Sequence, residues 1–190
     1  FRDESLAKEI CILLSSGNRS QDVERGEVRS HPTKNVEVLP GETRTLDPGT
    51  YGQVVVRSGG SSRSVLILQP GVYNISGLRT ARGARIVFSG PTSLYVAGVV
   101  RFGSESIINS SEVDSHLIDL FTSGSVVRVA RSAQATLRIC APFSTLRMGR
   151  GVQAFGRFVA QSIVAAGLQA ALPTTTTTST GSSTTSSTST

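Results

Sequence analysis

The sequence contains no tryptophan, one methionine and only 5% aromatic residues, although 38% of its 190 residues are hydrophobic. A core with so few rings has to be built mainly from Val, Leu and Ile, and with abundant Gly, Ser and Thr this composition is typical of strands and turns. The longest apolar run, 10–14, is too short to cross a bilayer, so we expect no direct membrane insertion.

Residues that carry catalysis are also scarce. The two histidines, His31 and His116, are too few for a histidine-built metal site and are not spaced with the cysteines as metal ligands. The sequence has no G-x-S-x-G nucleophile elbow, and its repeat region lacks the clustered carboxylates of β-helix polysaccharide lyases and hydrolases. We therefore expect no enzyme activity, no catalytic residue, no metal and no cofactor.

The basic residues are almost all arginine, and the charges are segregated. Residues 1–48 hold seven basic and nine acidic residues, whereas 49–171 hold twelve arginines and four acids, a net charge of +8. Such a surface attracts anionic polymers. The alternative is that these arginines only keep a β-surface soluble.

Composition divides the chain into three segments. Residues 1–34 form an N-terminal segment in which a short α-helix is predicted, capped by Asp3, followed by a polar connector; its apolar face holds Leu6, Ile10, Leu13 and Leu14. Residues 35–171 contain short strands separated by turn residues. Residues 172–190 are almost pure Thr and Ser, which predicts a disordered or extended stalk or linker.

The middle segment repeats at a fixed spacing. The element Leu46–Tyr51 recurs as Leu68–Tyr73, and apolar-Arg-apolar triplets at 127–129, 137–139 and 146–148 follow one another by 10 and 9. Such spacing is the signature of stacked coils that share one continuous core. The predicted fold is therefore all-β, a parallel β-helix (solenoid).

The triplets also indicate which side chains face outward. In a strand the two apolar neighbours of each Arg point inward and the Arg points to solvent. The spacing from Arg128 to Arg147 equals that from Arg138 to Arg157. If one coil has this length, these four form two short outward ladders, which we predict to bind an anionic polymer.

Two further features relate to an extracellular location. In an extracellular chain Cys11 and Cys140 are a disulfide candidate, with two buried free thiols as the alternative. N-x-S sequons begin at Asn18, Asn74 and Asn109, which favours N-glycosylation, although chance could also supply them.

The segment from Leu46 to about Ala171 resembles a family of bacterial extracytoplasmic β-solenoid domains of unassigned function. That family repeats an L-x-P-G-x-Y element, here Leu46–Tyr51 and Leu68–Tyr73, and closes on an I-x-A-P pattern, here 139–142. More remotely, the chain is similar to bactofilins, which polymerise end to end, and to ice-binding β-solenoids. Ice binders need flat rows of small Thr, Ser or Ala, whereas the outward positions phased here are Arg.

These observations lead to three functional hypotheses. The first is a non-catalytic structural module, secreted to the extracellular space or the cell surface, that associates with itself or with other surface-structure subunits into a filament or appendage. The alternative is an adhesion module that binds an acidic polysaccharide through its Arg ladders. An ice-binding protein is a lesser alternative, and no nucleic-acid partner is expected. Because the chain begins at Phe1, we expect a processed chain or a fragment.

Overall fold

The computed structural model describes residues 34–59, 62–109 and 113–166, nearly all of which lie in short strands or in the turns between them. Every pair of named strands in these residues is parallel, and each strand pairs with strands one coil away. The backbone therefore winds into a parallel β-solenoid of about six turns, which confirms the predicted β-helix. The described residues contain no α-helix, and the predicted N-terminal helix and the Ser/Thr tail lie outside them.

The coils have three faces. Face one is a six-stranded sheet of β2 (Thr43–Leu46), β4 (Val65–Leu68), β6 (Arg85–Phe88), β9 (Ile107–Ile108), β12 (Gln134–Thr136) and β14 (Gln153–Phe155). Four long strands bend from face two into face three: β3 (Gly49–Val56), β5 (Gly71–Thr80), β13 (Arg138–Met148) and β15 (Phe158–Ala165).

Separate strands cover these two faces on the other coils. Face two is completed by β7 (Thr92–Val96) and β10 (Ile118–Thr122), and face three by β1 (Lys34–Val38), β8 (Val100–Phe102) and β11 (Val126–Val129). The single helical turn among the described residues, 3-10 helix Ser115–Leu117, belongs to a longer connection between β9 and β10.

The core is a stack of inward side chains, one set from each coil. Val127 and Val129 are buried while Arg128 between them is exposed, so the inward and outward phase predicted from this triplet is confirmed. The same phase holds at 137–139 and 146–148. Stacking places like residues above one another on face three, as in the buried column Val54, Leu78, Val100, Val127 and Leu146.

The repeated L-x-P-G-x-Y element keeps its local shape but not its register. Leu46 pairs with Leu68, as the repeat predicts, but Tyr51 pairs with Ile75 instead of Tyr73. The register thus slips by two positions at the Pro-Gly corner, and a slip of two leaves every side chain on its own face. Both tyrosines still donate a hydrogen bond to the carbonyl four positions earlier in the chain.

The corner after face three has the same backbone conformation in successive coils. Gly83, Glu105, Ser132 and Gly151 have φ values of 70°, 57°, 56° and 68°, in the left-handed region. Amide-to-carbonyl hydrogen bonds connect these corners from coil to coil, for example Ser132 N to Arg150 O at 3.0 Å. Face three therefore ends in the same kind of turn on each of these coils.

Candidate functional site

An arginine ladder runs along face three. Arg79 pairs in register with Arg101, Arg101 with Arg128, and Arg128 with Arg147, so four consecutive coils each contribute one arginine. All four side chains are exposed. Because adjacent strands lie about 4.8 Å apart, the ladder extends about 14 Å along the solenoid axis.

Strand alternation holds these arginines outward. Each one lies between two buried residues whose side chains point into the core: Leu78 and Thr80, Val100 and Phe102, Val127 and Val129, Leu146 and Met148. Rotating any strand to hide its guanidinium would expose two of these side chains to water. Burial of these neighbouring side chains therefore keeps the four arginine side chains in solvent.

Uncharged residues border the ladder. Val55 pairs with Arg79 at one end and Val164 pairs with Arg147 at the other. Two positions before each ladder residue, and on the same side of the strand, lies a second row with no charge: Gly77, Val99, Val126 and Thr145. Gln53, the register partner of Gly77, extends this row by one coil. On the strands from β5 to β13, face three thus carries one line of positive charge with an uncharged row on one side of it.

No carboxylate of the described residues lies within 4 Å of a ladder guanidinium. The arginine ion pairs in this part of the chain involve other residues, namely Arg57 with Glu37, Arg82 with Glu105 and Arg138 with Asp119. Like charges stacked at strand spacing repel each other, so the row does not contribute to the stability of the fold. A row of this kind suits an anionic partner.

The corner that follows face three adds positive charge beside Arg128 and Arg147, which we call the upper end of the ladder. Arg131 and Arg150 are exposed there, and Arg131 lines a groove of about 410 Å³ together with Arg128 and Arg147. Lower on the same corner, Arg82 donates two hydrogen bonds to Glu105, and this bonding holds the pKa of the Glu105 carboxyl below its usual value. Glu105 is therefore already neutralised by Arg82.

The second predicted ladder is only partly as expected. Arg138 and Arg157 are neighbours on adjacent coils of face two, because Ile139 N donates to Arg157 O at 2.8 Å. However, Arg138 donates two 2.6 Å hydrogen bonds to the Asp119 carboxylate directly below it. The Arg138 side chain is 24% exposed, and its guanidinium already has a carboxylate partner. The binding role of Arg128, Arg138, Arg147 and Arg157 stays a prediction.

The sequence-based prediction missed Arg79 and Arg101. Both follow the signal that identified the others, since Leu78-Arg79-Thr80 and Val100-Arg101-Phe102 place the Arg between two inward residues. They were missed because their coils are longer than the coil from Arg128 to Arg147, on which the predicted spacing was based. The coil from Arg101 to Arg128 is the longest of the three, since it includes the connection between β9 and β10.

The structure bears on two of the three sequons. Asn74 is exposed on face two. Asn109 is buried, and its Nδ2 donates hydrogen bonds to Val113 O at 2.7 Å and Thr136 O at 3.2 Å. This arrangement argues against a glycan on Asn109, since the amide nitrogen would have to leave the fold to be modified. Asn18 lies outside the described residues.

The structure describes one of the two cysteines of the predicted disulfide. Cys140 is 5% exposed and is not a free thiol in this structure. Cys11 lies outside the described residues, so the pairing of these two cysteines stays a prediction.

Other kinds of site were sought in the same residues. Within 34–59, 62–109 and 113–166, no three His, Cys, Asp or Glu side chains are grouped so that they could hold a metal ion. None of the helical structure described there is long and apolar enough to cross a membrane. His116 Nδ1 lies 3.3 Å from Asp114 Oδ1, with both side chains mostly in solvent.

Comparison with known proteins adds no assignment: no family model matches the chain, and no curated protein or solved structure does so either.

Proposed function

We propose that this protein is a non-catalytic extracellular module that binds a linear acidic polysaccharide along the face-three ladder. The observation that supports this most strongly is the row formed by Arg79, Arg101, Arg128 and Arg147, in register on four coils and without a carboxylate partner among the described residues. In this proposal 1–34 braces the solenoid and 172–190 is a stalk.

The chemistry of guanidinium favours a repeating anionic ligand. Its planar fork forms bidentate hydrogen bonds with carboxylate or sulfate groups. Because the four forks are repeated at strand spacing, a polymer lying along the axis meets an equivalent group at each coil. The uncharged row at Gln53, Gly77, Val99, Val126 and Thr145 leaves space for uncharged sugar rings beside the charged line.

The same face is poorly suited to nucleic acid. Proteins that bind single strands combine positive charge with aromatic side chains on which the bases stack. The outward rows of face three, as described from β1 to β15, hold no aromatic residue. A carbohydrate with charged groups needs no stacking surface of this kind.

A length series of acidic oligosaccharides tests the proposal. Oligo-uronates of increasing length are titrated against the protein by calorimetry at low and high salt. Affinity is expected to rise with each added sugar until the oligomer covers the ladder and to weaken steeply with salt. Binding that is independent of oligomer length, or equal binding of a single-stranded DNA of matched charge, would contradict recognition of a polysaccharide by the ladder.

End-to-end assembly into a filament is the second candidate. The last described coil carries three large apolar side chains that are about half exposed, namely Phe155, Ile163 and Val164 at 54%, 49% and 57%. Its strands β14 and β15 form the end of the described sheets, and unpaired strand edges are templates for pairing with another chain. We propose the first coil of a second copy as the occupant.

Electron microscopy of two matched variants tests this assembly. Ile163→Asp adds a charge to the last described coil. Val72→Asp adds the same charge on β5, away from that coil, at a residue that is 51% exposed. Fibres are expected from the native protein and from Val72→Asp but not from Ile163→Asp. Monodisperse native rods at high concentration would contradict the filament and leave the ladder proposal unaffected.

A further inference from the structure

An apolar groove runs along face two, on a different side of the solenoid from the arginine ladder. One outward residue from each of five coils lies along it in register: Thr50, Asn74, Tyr95, Phe121 and Cys140. The groove has a volume of about 460 Å³, and Pro142 and Phe143 line its upper end. We refer to it below as the face-two groove.

The lining of this groove selects an apolar occupant. None of its described lining residues carries a charge. The rings of Tyr95 and Phe121 stack at 5.0 Å with an interplanar angle of 14°, and Phe143 is 55% exposed. Grooves of this kind bind the apolar face of an amphipathic helix.

Cys140 indicates which helix this is. Cys140 is the register partner of Phe121 in the outward row, yet it is the one buried side chain of that row, at 5% exposure. It is also not a free thiol. The sequence holds only one other cysteine, Cys11. Cys11 lies beside the apolar positions Leu6, Ile10 and Leu14 that predict an amphipathic helix over 3–16.

Dimensions and chain connection agree with this occupant. A helix of about fourteen residues is about 21 Å long, and the row from Thr50 to Cys140 extends about 19 Å over four strand spacings. The described chain begins beside the groove, because Lys34 pairs with Tyr51, one of its lining residues. The segment 17–33 can extend about 56 Å, more than enough to connect the two.

We propose that segment 3–16 of this chain lies in the face-two groove as an amphipathic helix, with its apolar face on Tyr95 and Phe121 and with Cys11 bonded to Cys140. The segment thereby covers apolar surface that a solenoid on its own leaves open to water. The disulfide closes a loop of about 130 residues, and docking holds the two sulfurs within reach of each other.

Two variants of the full chain test the proposal. Leu6→Asp with Ile10→Asp charges the apolar face, and Ser5→Asp with Ser15→Asp adds the same charge away from the apolar positions. After reduction, the rate at which the disulfide reforms and the binding of a hydrophobic dye are measured. We expect the first variant to reform the disulfide at least about tenfold more slowly, because it loses the effective concentration that docking provides, and to bind more dye than the native protein.

The control variant is expected to match the native protein in both measurements. Equal rates and equal dye binding in the two variants would overturn the proposal. So would two alkylatable thiols in the native protein, or a disulfide that forms between two copies of the chain. Circular dichroism of each variant checks that the solenoid is folded.

Discussion

Arg101 and Arg128 are register partners on the parallel strands β8 and β11, although the coil that joins them is longer than the coil on either side of it. The connection that lengthens this coil joins β9 on face one to β10 on face two, so the strand pairing on face three is uninterrupted. The row from Arg79 to Arg147 is therefore continuous over four coils. This continuity is what distinguishes a surface that can follow a polymer from isolated surface arginines.

Extending the ladder should strengthen binding. Val164 pairs with Arg147 at the upper end of the row and is 57% exposed, so Val164→Arg adds a fifth guanidinium in register. An exposed ionic contact contributes about 0.2–1 kcal/mol, which corresponds to about 1.4- to 5-fold in affinity for an acidic polysaccharide. Val164→Gln is the matched control, and a gain of the same size in both variants would show that charge at this position is irrelevant.

Breaking the Arg138–Asp119 pair should destabilise the fold. The two side chains are only 24% and 15% exposed, so Asp119→Asn leaves a largely desolvated guanidinium without its carboxylate. We expect the free energy of unfolding to fall by about 1–3 kcal/mol in chemical denaturation. Glu37→Gln, which breaks the exposed pair with Arg57, should change it by less than about 0.5 kcal/mol. Equal losses would mean that burial of the first pair is energetically unimportant.

The inward phase of the core gives a sharper stability prediction. Val127 is fully buried, and Val127→Asp places an unpaired charge among stacked apolar side chains. The expected loss is about 3 kcal/mol or more, enough to unfold the coils around it. Substituting its exposed neighbour, Arg128→Asp, should leave the thermal midpoint nearly unchanged. Similar midpoints for the two variants would be incompatible with this phase.

Tyr73 should make stability fall at high pH. Its side chain is fully buried, its hydroxyl lies 2.8 Å from both Leu46 O and Gln69 O, and burial raises its pKa to about 12. The unfolded chain releases this proton near pH 10 while the folded chain retains it. The stability contributed by Tyr73 is therefore present below pH 10 and is lost as pH rises from 10 through about 12, up to about 2–3 kcal/mol.

Denaturation between pH 9 and pH 12 measures this effect, with Tyr73→Phe as the comparison. That variant should be less stable than the native protein at neutral pH by about 1 kcal/mol, because it removes the buried hydrogen bonding of the hydroxyl. The difference between the two proteins should shrink as pH rises above 10 and change sign before pH 12, because the linked loss of the native protein exceeds the stability that Tyr73→Phe removes. A constant difference across this range would contradict a raised pKa for Tyr73.

Sequence patterns predicted much of this fold because a solenoid is built from local repeats. The triplet Val127-Arg128-Val129 predicts two inward residues and one outward residue without reference to any other coil. The extent of the ladder could not be predicted in the same way, since coil length varies and a connection of any length can be placed at a corner. The Arg138–Asp119 pair depends on the register between strands of adjacent coils, which no local pattern specifies.

The central claim is that the four arginines bind a polyanion because they form one row. The decisive measurement compares two variants of equal charge by affinity for an immobilised polyuronate at low salt. One carries Arg→Gln at 79, 101, 128 and 147, and the other carries Arg→Gln at 44, 57, 63 and 82, which form no single row. We predict that the first variant loses retention and the second keeps most of it. Equal loss in both variants, or no retention of the native protein, would contradict the account.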